Sequence, residues 1–333
     1  MTRAQKRLPN SSRLLKRVLF AFLFAGSALN GIAWMQARAM THYLTGNVVK
    51  TQKPEQLSPL QKARVVLTGV RIPRPTNVRT PEDEGLSYET HTIELPSEGT
   101  HPEFIEAWIA PAESSKGFVL LFPQYGASKQ SVLSPAKAFH DLGYSTMLVD
   151  FRGVGGSTGS DTTMGVREGE DVAHAVRYVQ QNLPEQPMIL YGASQGAAAV
   201  MRAVAHEGVQ PDAVVLESPF DSLLETVRHR FRASGLPSFP SAELMVFWGG
   251  MLQGIDGFAH NPAEYAALMD YPVLLLHGEA DTRVLVEDAE AIFDRLPGKK
   301  NLVLLPSVGH GAFAHEHPQI WRQTVETFLQ DSN

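Results

Sequence analysis

The residues best suited to chemistry lie in Gly192-Ala193-Ser194-Gln195-Gly196. A short apolar run of strand length, Pro187 to Tyr191, leads into them, and an Ala- and Val-rich stretch of helical character, Ala197 to Ala205, leads out. A serine on so sharp a strand-to-helix turn presents its hydroxyl outward. Glycine two residues to either side removes the Cβ atoms that would clash there. The following helix offers free backbone N–H groups beside the hydroxyl. This is the setting of an activated serine nucleophile. With 27 glycines in 333 residues, one Gly-x-Ser-x-Gly also arises by chance as a plain turn. The reading therefore depends on the strand and helix around it, and on whether an acid and a histidine follow.

Both follow. Asp281, in His277-Gly278-Glu279-Ala280-Asp281-Thr282-Arg283-Val284, stands just past a buried apolar run. Its plainer role would be to cap a helix beginning near Val286. Glu279 is its rival, and Glu217, after the preceding apolar run, is a third candidate. His310 lies between Gly309 and Gly311, again directly after an apolar run; an ordinary loop histidine would simply be solvated. His315 and His317 have a spacing that suits a metal, but no third ligand is near, and they read as helix-start residues.

These groups need a scaffold. Residues 86–95 and 103–110 alternate as two antiparallel strands. Residues 117–122, 145–150, 187–191, 213–216, 271–277 and 302–306 are continuous apolar runs, the mark of strands buried on both faces. Helical patterns over 128–142, 166–182, 194–205 and 318–330 alternate with them. The expected fold class is α/β, a mostly parallel eight-stranded sheet flanked by helices, with every candidate residue at the C-terminal end of a strand. Residues 219–265 break the rhythm and carry Phe231, Phe239, Met245, Phe247, Trp248 and Met251. They read as a helical cap over the strand ends, with Phe247, Trp248 and Met251 lining a substrate cleft. The alternative is a helix pair packed on the core.

The N-terminal residues 1–17 contain Arg3, Lys6, Arg7, Arg13, Lys16 and Arg17 and no acid; Val18 to Met35 is then uncharged and mostly apolar. The segment 1–40 is expected to be a signal anchor, a single span with the basic end cytoplasmic and the enzyme on the periplasmic or extracellular side. Ala37-Arg38-Ala39 offers the alternative of a cleaved signal and secretion, and a helix buried in the protein is the third reading. Residues 41–85, punctuated by Pro54, Pro59, Pro73, Pro75 and Pro81, read as a connector or stalk, and 86–333 as the catalytic domain. Ser58-Pro59 is placed to start a short helix. A net charge of −6 gives no case for nucleic acid, and the absence of cysteine excludes disulfides, thiolate metal sites and a cysteine nucleophile.

The order Ser194, Asp281, His310 is that of α/β-hydrolases. Over roughly residues 86–330 the chain resembles the serine aminopeptidase and monoglyceride-lipase-like group of that superfamily, most of all its bacterial membrane-anchored members. The likeness lies in Gly192 to Gly196, in Asp150-Phe151-Arg152-Gly153 with Gly155 and Ser157, in His277-Gly278 through Asp281, and in Gly309-His310. The group's His-Gly-x-x oxyanion loop is here Pro123-Gln124-Tyr125-Gly126, which departs at its first two positions. The resemblance implies a double displacement. Ser194 attacks a carbonyl with His310 as general base and Asp281 as its orienting acid, and the amides of Gln195 and Tyr125 hold the oxyanion. No metal or organic cofactor is required. The expected substrate is a small-molecule ester, with the membrane tether suggesting an acyl lipid. A peptidase or amidase with the same residues, and a silent binding protein of the same fold, are the alternatives.

Overall fold

The computed structural model describes residues 11–52, 57–96, 102–311 and 313–332. Eight strands form one sheet in the order β1 (Glu89–Leu95), β2 (Glu103–Ala110), β4 (Ser145–Val149), β3 (Phe118–Phe122), β5 (Met188–Ala193), β6 (Ala213–Glu217), β7 (Val273–Gly278), β8 (Lys300–Leu305). β2 pairs antiparallel with both β1 and β4, and the pairs from β4 through β8 are parallel. β3 to β7 are buried at every residue, which is why they read as unbroken apolar runs. α4 (Val166–Asn182), α5 (Gln195–His206) and α9 (Val286–Arg295) cover one face, and α3 (Leu133–Asp141) and α11 (Pro318–Ser332) the other. The chain runs from β3 to β4 on one side and returns to β5 on the other, so the strand order reverses at β3. In open α/β sheets ligands collect beyond the carboxyl ends at such a point.

Residues 219–265 contribute α6 (Leu223–Ala233) and α7 (Ser241–Gln253), and α8 (Pro262–Ala266) follows on their heels. The N-terminal apolar segment is a single helix, α1 (Ser11–Thr41). Its residues 13–28 are exposed, whereas Ala33 and Ala37 are buried against the α6–α7 pair and α2 (Pro59–Thr68). Asn30, an awkward residue for an apolar helix, is accommodated twice. Its Nδ2 donates to Gly26 O at 3.0 Å, and its Oδ1 accepts from Trp248 Nε1 of α7 at 3.3 Å. α2 begins at Pro59 under a capping box in which Ser58 and Gln61 bond reciprocally.

The segment 41–85 does not stand away from the sheet as a stalk. Tyr43 is buried, Arg74 donates to the carbonyls of Gly155, Ser157 and Gly159, and Asn77 Nδ2 donates to Asp150 Oδ2 at 2.7 Å. Prolines limit the chain's own regular structure, but its polar groups find partners in the glycine-rich turn after β4. That turn is itself wrapped around a buried charge cluster. Lys129 Nζ lies 2.5 Å from Asp150 Oδ2 and 2.6 Å from Glu106 Oε1, with Lys129 and Asp150 fully buried. A Cβ on Gly155 would overlap the Asp150 carboxylate, which accounts for glycine there. Lys129→Met would leave two carboxylates without their cation. The expected cost is about 3–5 kcal/mol, read as a lower denaturant midpoint at unchanged slope.

Candidate active site

Ser194 is the residue between β5 and α5, and its backbone, at φ 50° and ψ −110°, lies in the left-handed region that non-glycine residues avoid. The conformation is held from both sides. Ser194 N–H donates to Glu217 O at 2.7 Å, extending the β5–β6 ladder by one residue, and Ala198 N–H donates to Ser194 O at 3.0 Å. The turn is also closely packed. A Cβ on Gly192 would lie 2.5 Å from the Gly196 carbonyl carbon, and one on Gly196 would overlap the Phe122 carbonyl at the end of β3. The seam between β5, α5 and β3 therefore admits backbone only.

Asp281 and His310 follow β7 and β8, which pair in parallel up to Gly278 and Leu305. The two loops remain tied beyond the strands, with Glu279 N–H donating to Leu305 O at 3.0 Å and Ala280 N–H to Val308 O at 2.9 Å. His310 Nδ1 lies 2.6 Å from Asp281 Oδ2, and His310 Nε2 lies 3.0 Å from Ser194 Oγ. Asp281 Oδ1 accepts from the amides of Arg283 at 2.8 Å and Val284 at 3.1 Å. Burial opposes charge on Asp281, but His310 and these two amides outweigh it and hold the carboxyl below its ordinary range. An ionised carboxylate only accepts, so Nδ1 carries the imidazole proton and Nε2 turns its lone pair toward the serine hydroxyl.

The other acid candidates lie elsewhere. Glu279 is exposed. Glu217 ends β6, and its side chain turns to the opposite face of the sheet, where Oε1 accepts from Trp321 Nε1 at 2.5 Å. Burial pushes its carboxyl up to about 7. α9 is capped by Asp288, whose Oδ2 accepts from Leu285 N–H at 2.7 Å, which leaves Asp281 free of that duty. His315 is exposed in α10 (Phe313–Glu316), and His317 stands at the junction with α11.

Gln195 is the first residue of α5, where amides have no intrahelical partner, and its side-chain Nε2 is drawn aside to Thr162 Oγ1 at 3.0 Å. Tyr125 follows β3, and its phenol reaches back to donate to Met40 O at 2.6 Å, while Gly126 N–H donates to Tyr43 Oη at 3.2 Å. The end of α1 thus grips the loop after β3. Of Pro123-Gln124, where the resemblance departs from its pattern, Gln124 opens a turn over residues 124–127 closed by Ala127 N–H on Gln124 O at 3.2 Å. The Gln124 side chain lies against Gly311 in the histidine loop.

The cleft residues expected from the sequence lie on the wrong side of α7. Phe247 and Met251 are 46% and 65% exposed, and Trp248 packs on α1. The residues that α7 turns inward are Met245, Val246, Gly249 and Gly250, toward an apolar cavity shared with α1, α2 and α6.

Against known families, residues 113–236 match the hydrolase family described as serine aminopeptidase, S33. The lysophosphatidylserine lipase ABHD12 of Danio rerio is 27% identical over 303 residues, spanning 82% of this chain and 75% of that protein. The chain is an α/β-hydrolase. The uncharacterized protein YqkD of Bacillus subtilis (strain 168) is 27% identical to this hydrolase over 61% of its chain and 68% of YqkD. Among solved structures, the Pyrococcus furiosus esterase Pf2001 shares the fold with a TM-score of 0.65 at 23% identity, covering 78% of the hydrolase and 96% of the esterase. Sequence reasoning overlooked several residues that shape this α/β-hydrolase's site. Tyr43 and Met40 brace the loop after β3, and buried His260, held neutral by burial that lowers its pKa to about 4, ties residues 219–265 to Met164 O at 3.1 Å. Such pairings between distant segments leave no periodic signal. Tyr43 alone had a clue, a lone aromatic in a polar, proline-rich segment.

Proposed function

We propose that this α/β-hydrolase is a membrane-anchored serine hydrolase that cleaves the ester of an acyl lipid. Ser194 is the nucleophile, His310 the general base and acid, and Asp281 the group that orients the imidazole. The observation that carries the reading is the unbroken line from Ser194 Oγ through His310 to Asp281, at 3.0 and 2.6 Å. Nε2 takes the hydroxyl proton as Oγ bonds to the ester carbonyl carbon. The carbonyl oxygen, now negative, is held by the amides of Gln195 and Tyr125, and Asp281 stabilises the imidazolium. The imidazolium gives its proton to the departing alcohol, leaving an acyl-serine. Water, deprotonated by the same nitrogen, then frees the acid and restores Ser194.

Lipid rather than soluble ester is favoured by the lysophosphatidylserine lipase relatives and by α1, which is long and apolar enough to cross a bilayer. The six cations before Val18 keep the N-terminus in the cytoplasm and put the catalytic domain on the outer side. The serine aminopeptidase description of the matched family favours a second reading, amide cleavage by the same residues. A fluorophosphonate probe followed by a panel of p-nitrophenyl esters and aminoacyl anilides separates the cases. Labelling at Ser194 with ester turnover is expected. Anilide turnover exceeding that of the esters would favour the peptidase, and an unlabelled, inert protein a silent binding role. Protection of the domain from protease in spheroplasts would overturn its orientation.

A further inference from the structure

The cavity bounded by α1, α2, α6 and α7 has a volume of about 400 Å³, within the roughly 300–1,000 Å³ of small-molecule sites. Its wall includes Ala33, Ala37 and Met40 of α1, Val66 of α2, and Phe231 and Met245 of the α6–α7 pair. The polar side chains on its lining are largely spoken for. Gln36 Nε2 donates to the carbonyls of Val65 and Val66 at 2.7 and 2.8 Å, Thr41 Oγ1 to Ala37 O at 2.9 Å, and Gln253 is bonded to Arg167. What faces the space is mostly hydrocarbon, with Arg230 the charged residue on its wall.

Two features fix its ends. Arg230 lines the cavity and stacks over the Tyr125 ring at 5.8 Å, and Tyr125 stands in the loop whose amide faces the candidate oxyanion. One end therefore adjoins the Tyr125 ring and Met40, whose carbonyl the Tyr125 phenol bonds. At the other, Leu236 and Val66 line the cavity yet are 42% and 38% exposed, and Phe239, Phe247 and Met251 nearby in the chain are more exposed still. Such side chains belong against a bilayer.

We infer that this cavity receives the acyl chain of a single-chain lipid ester, and that α1 is one wall of the site. The N-terminal helix is thereby a determinant of chain-length preference as well as an anchor. The inference rests on the ester-hydrolase reading and adds to it the class of substrate and the residues that measure it. The chain leaves the membrane between α2 and the α6–α7 pair, runs along Ala33 and Ala37, and brings its carbonyl to Ser194.

Full-length protein in detergent micelles tests this with p-nitrophenyl esters from C4 to C16. Each methylene denied burial costs a factor of about four in kcat/KM, so Ala37→Phe, which blocks two or three, is expected to lower the C12-to-C4 ratio at least about tenfold. Met245→Ala, which lengthens the space, is expected to raise the C16-to-C12 ratio. Phe22→Ala, on the exposed half of α1, serves as the control with an unaltered profile. Unchanged ratios in both cavity variants overturn the inference. Should Ala37→Phe fail to fold, the unmodified protein still decides. An alkyl fluorophosphonate with a terminal diazirine is bound at Ser194, irradiated, and its cross-linked peptides sequenced. Cross-links to residues 29–41 of α1 or to α6 are expected, and their absence from both overturns the inference. No attachment at Ser194 overturns the serine-hydrolase reading itself, and this inference with it.

Discussion

Ser194→Ala is expected to lower kcat at least about 10⁴-fold with little change in thermal stability. No other hydroxyl stands within bonding distance of His310 among the described residues, so nothing replaces the lost nucleophile. What survives is the modest rate that positioned amides and binding alone supply. Stability should hold because the substitution removes one oxygen from a half-buried side chain and leaves the backbone in place. Ser194→Gly separates the two effects further. Both variants are inactive, but glycine relieves a left-handed φ of 50° that alanine keeps, so the glycine variant is expected to melt higher than the alanine one. Steady-state kinetics and thermal melts on the three proteins check this. Retention of more than about 1% of kcat by Ser194→Ala would remove the serine from the mechanism.

Asp281→Asn is expected to cost about 10⁴-fold in kcat, whereas Glu279→Gln stays within about twofold. The reason is the donor count. Oδ1 of residue 281 accepts two amides, from Arg283 and Val284, and an asparagine would keep its carbonyl oxygen there. Its NH₂ would then face His310 Nδ1, which must accept. The imidazole proton moves to Nε2, and a protonated nitrogen facing Ser194 Oγ takes no proton from it. Glu279, exposed on the same loop, bonds to neither partner. A larger loss for Glu279→Gln than for Asp281→Asn would reverse the choice of acid.

The sheet was legible because strands buried on both faces are apolar without interruption, and because β1 and the first half of β2 alternate; the second half of β2, paired with β4, is buried throughout. With the strands placed, Ser194, Asp281 and His310 fell at strand ends in order, an order that Glu217 satisfies as well. Parity within β6 explains why Glu217 fails as the acid: its side chain emerges on the face where Trp321 lies. The inward face of α7 was not legible. Its sequence, Ser-Ala-Glu-Leu-Met-Val-Phe-Trp-Gly-Gly-Met-Leu-Gln, is apolar nearly all round, so period alone gives no direction, and the bulky aromatics that suggested a cleft face outward. Nor was the role of residues 41–85. Arg74 and Asn77 bond to groups some 70 to 85 positions away, and no local pattern records that.

The docking of α1 also bears on how the protein must be made. Its residues 13–28 face outward, while the stretch from Leu29 onward covers the inner surfaces of α2, α6 and α7. A helix so placed meets two surroundings at once, the outside along one half and the protein interior along the other. Cleavage at Ala37-Arg38-Ala39 would strip the second half along with the first. It would leave Met245, Val246 and Phe231 bordering water and cut the chain beside Met40, whose carbonyl holds Tyr125. The released body would carry an open apolar seam, the kind of surface that drives proteins to self-associate. Retention of the helix is therefore a condition of solubility for the body it packs against.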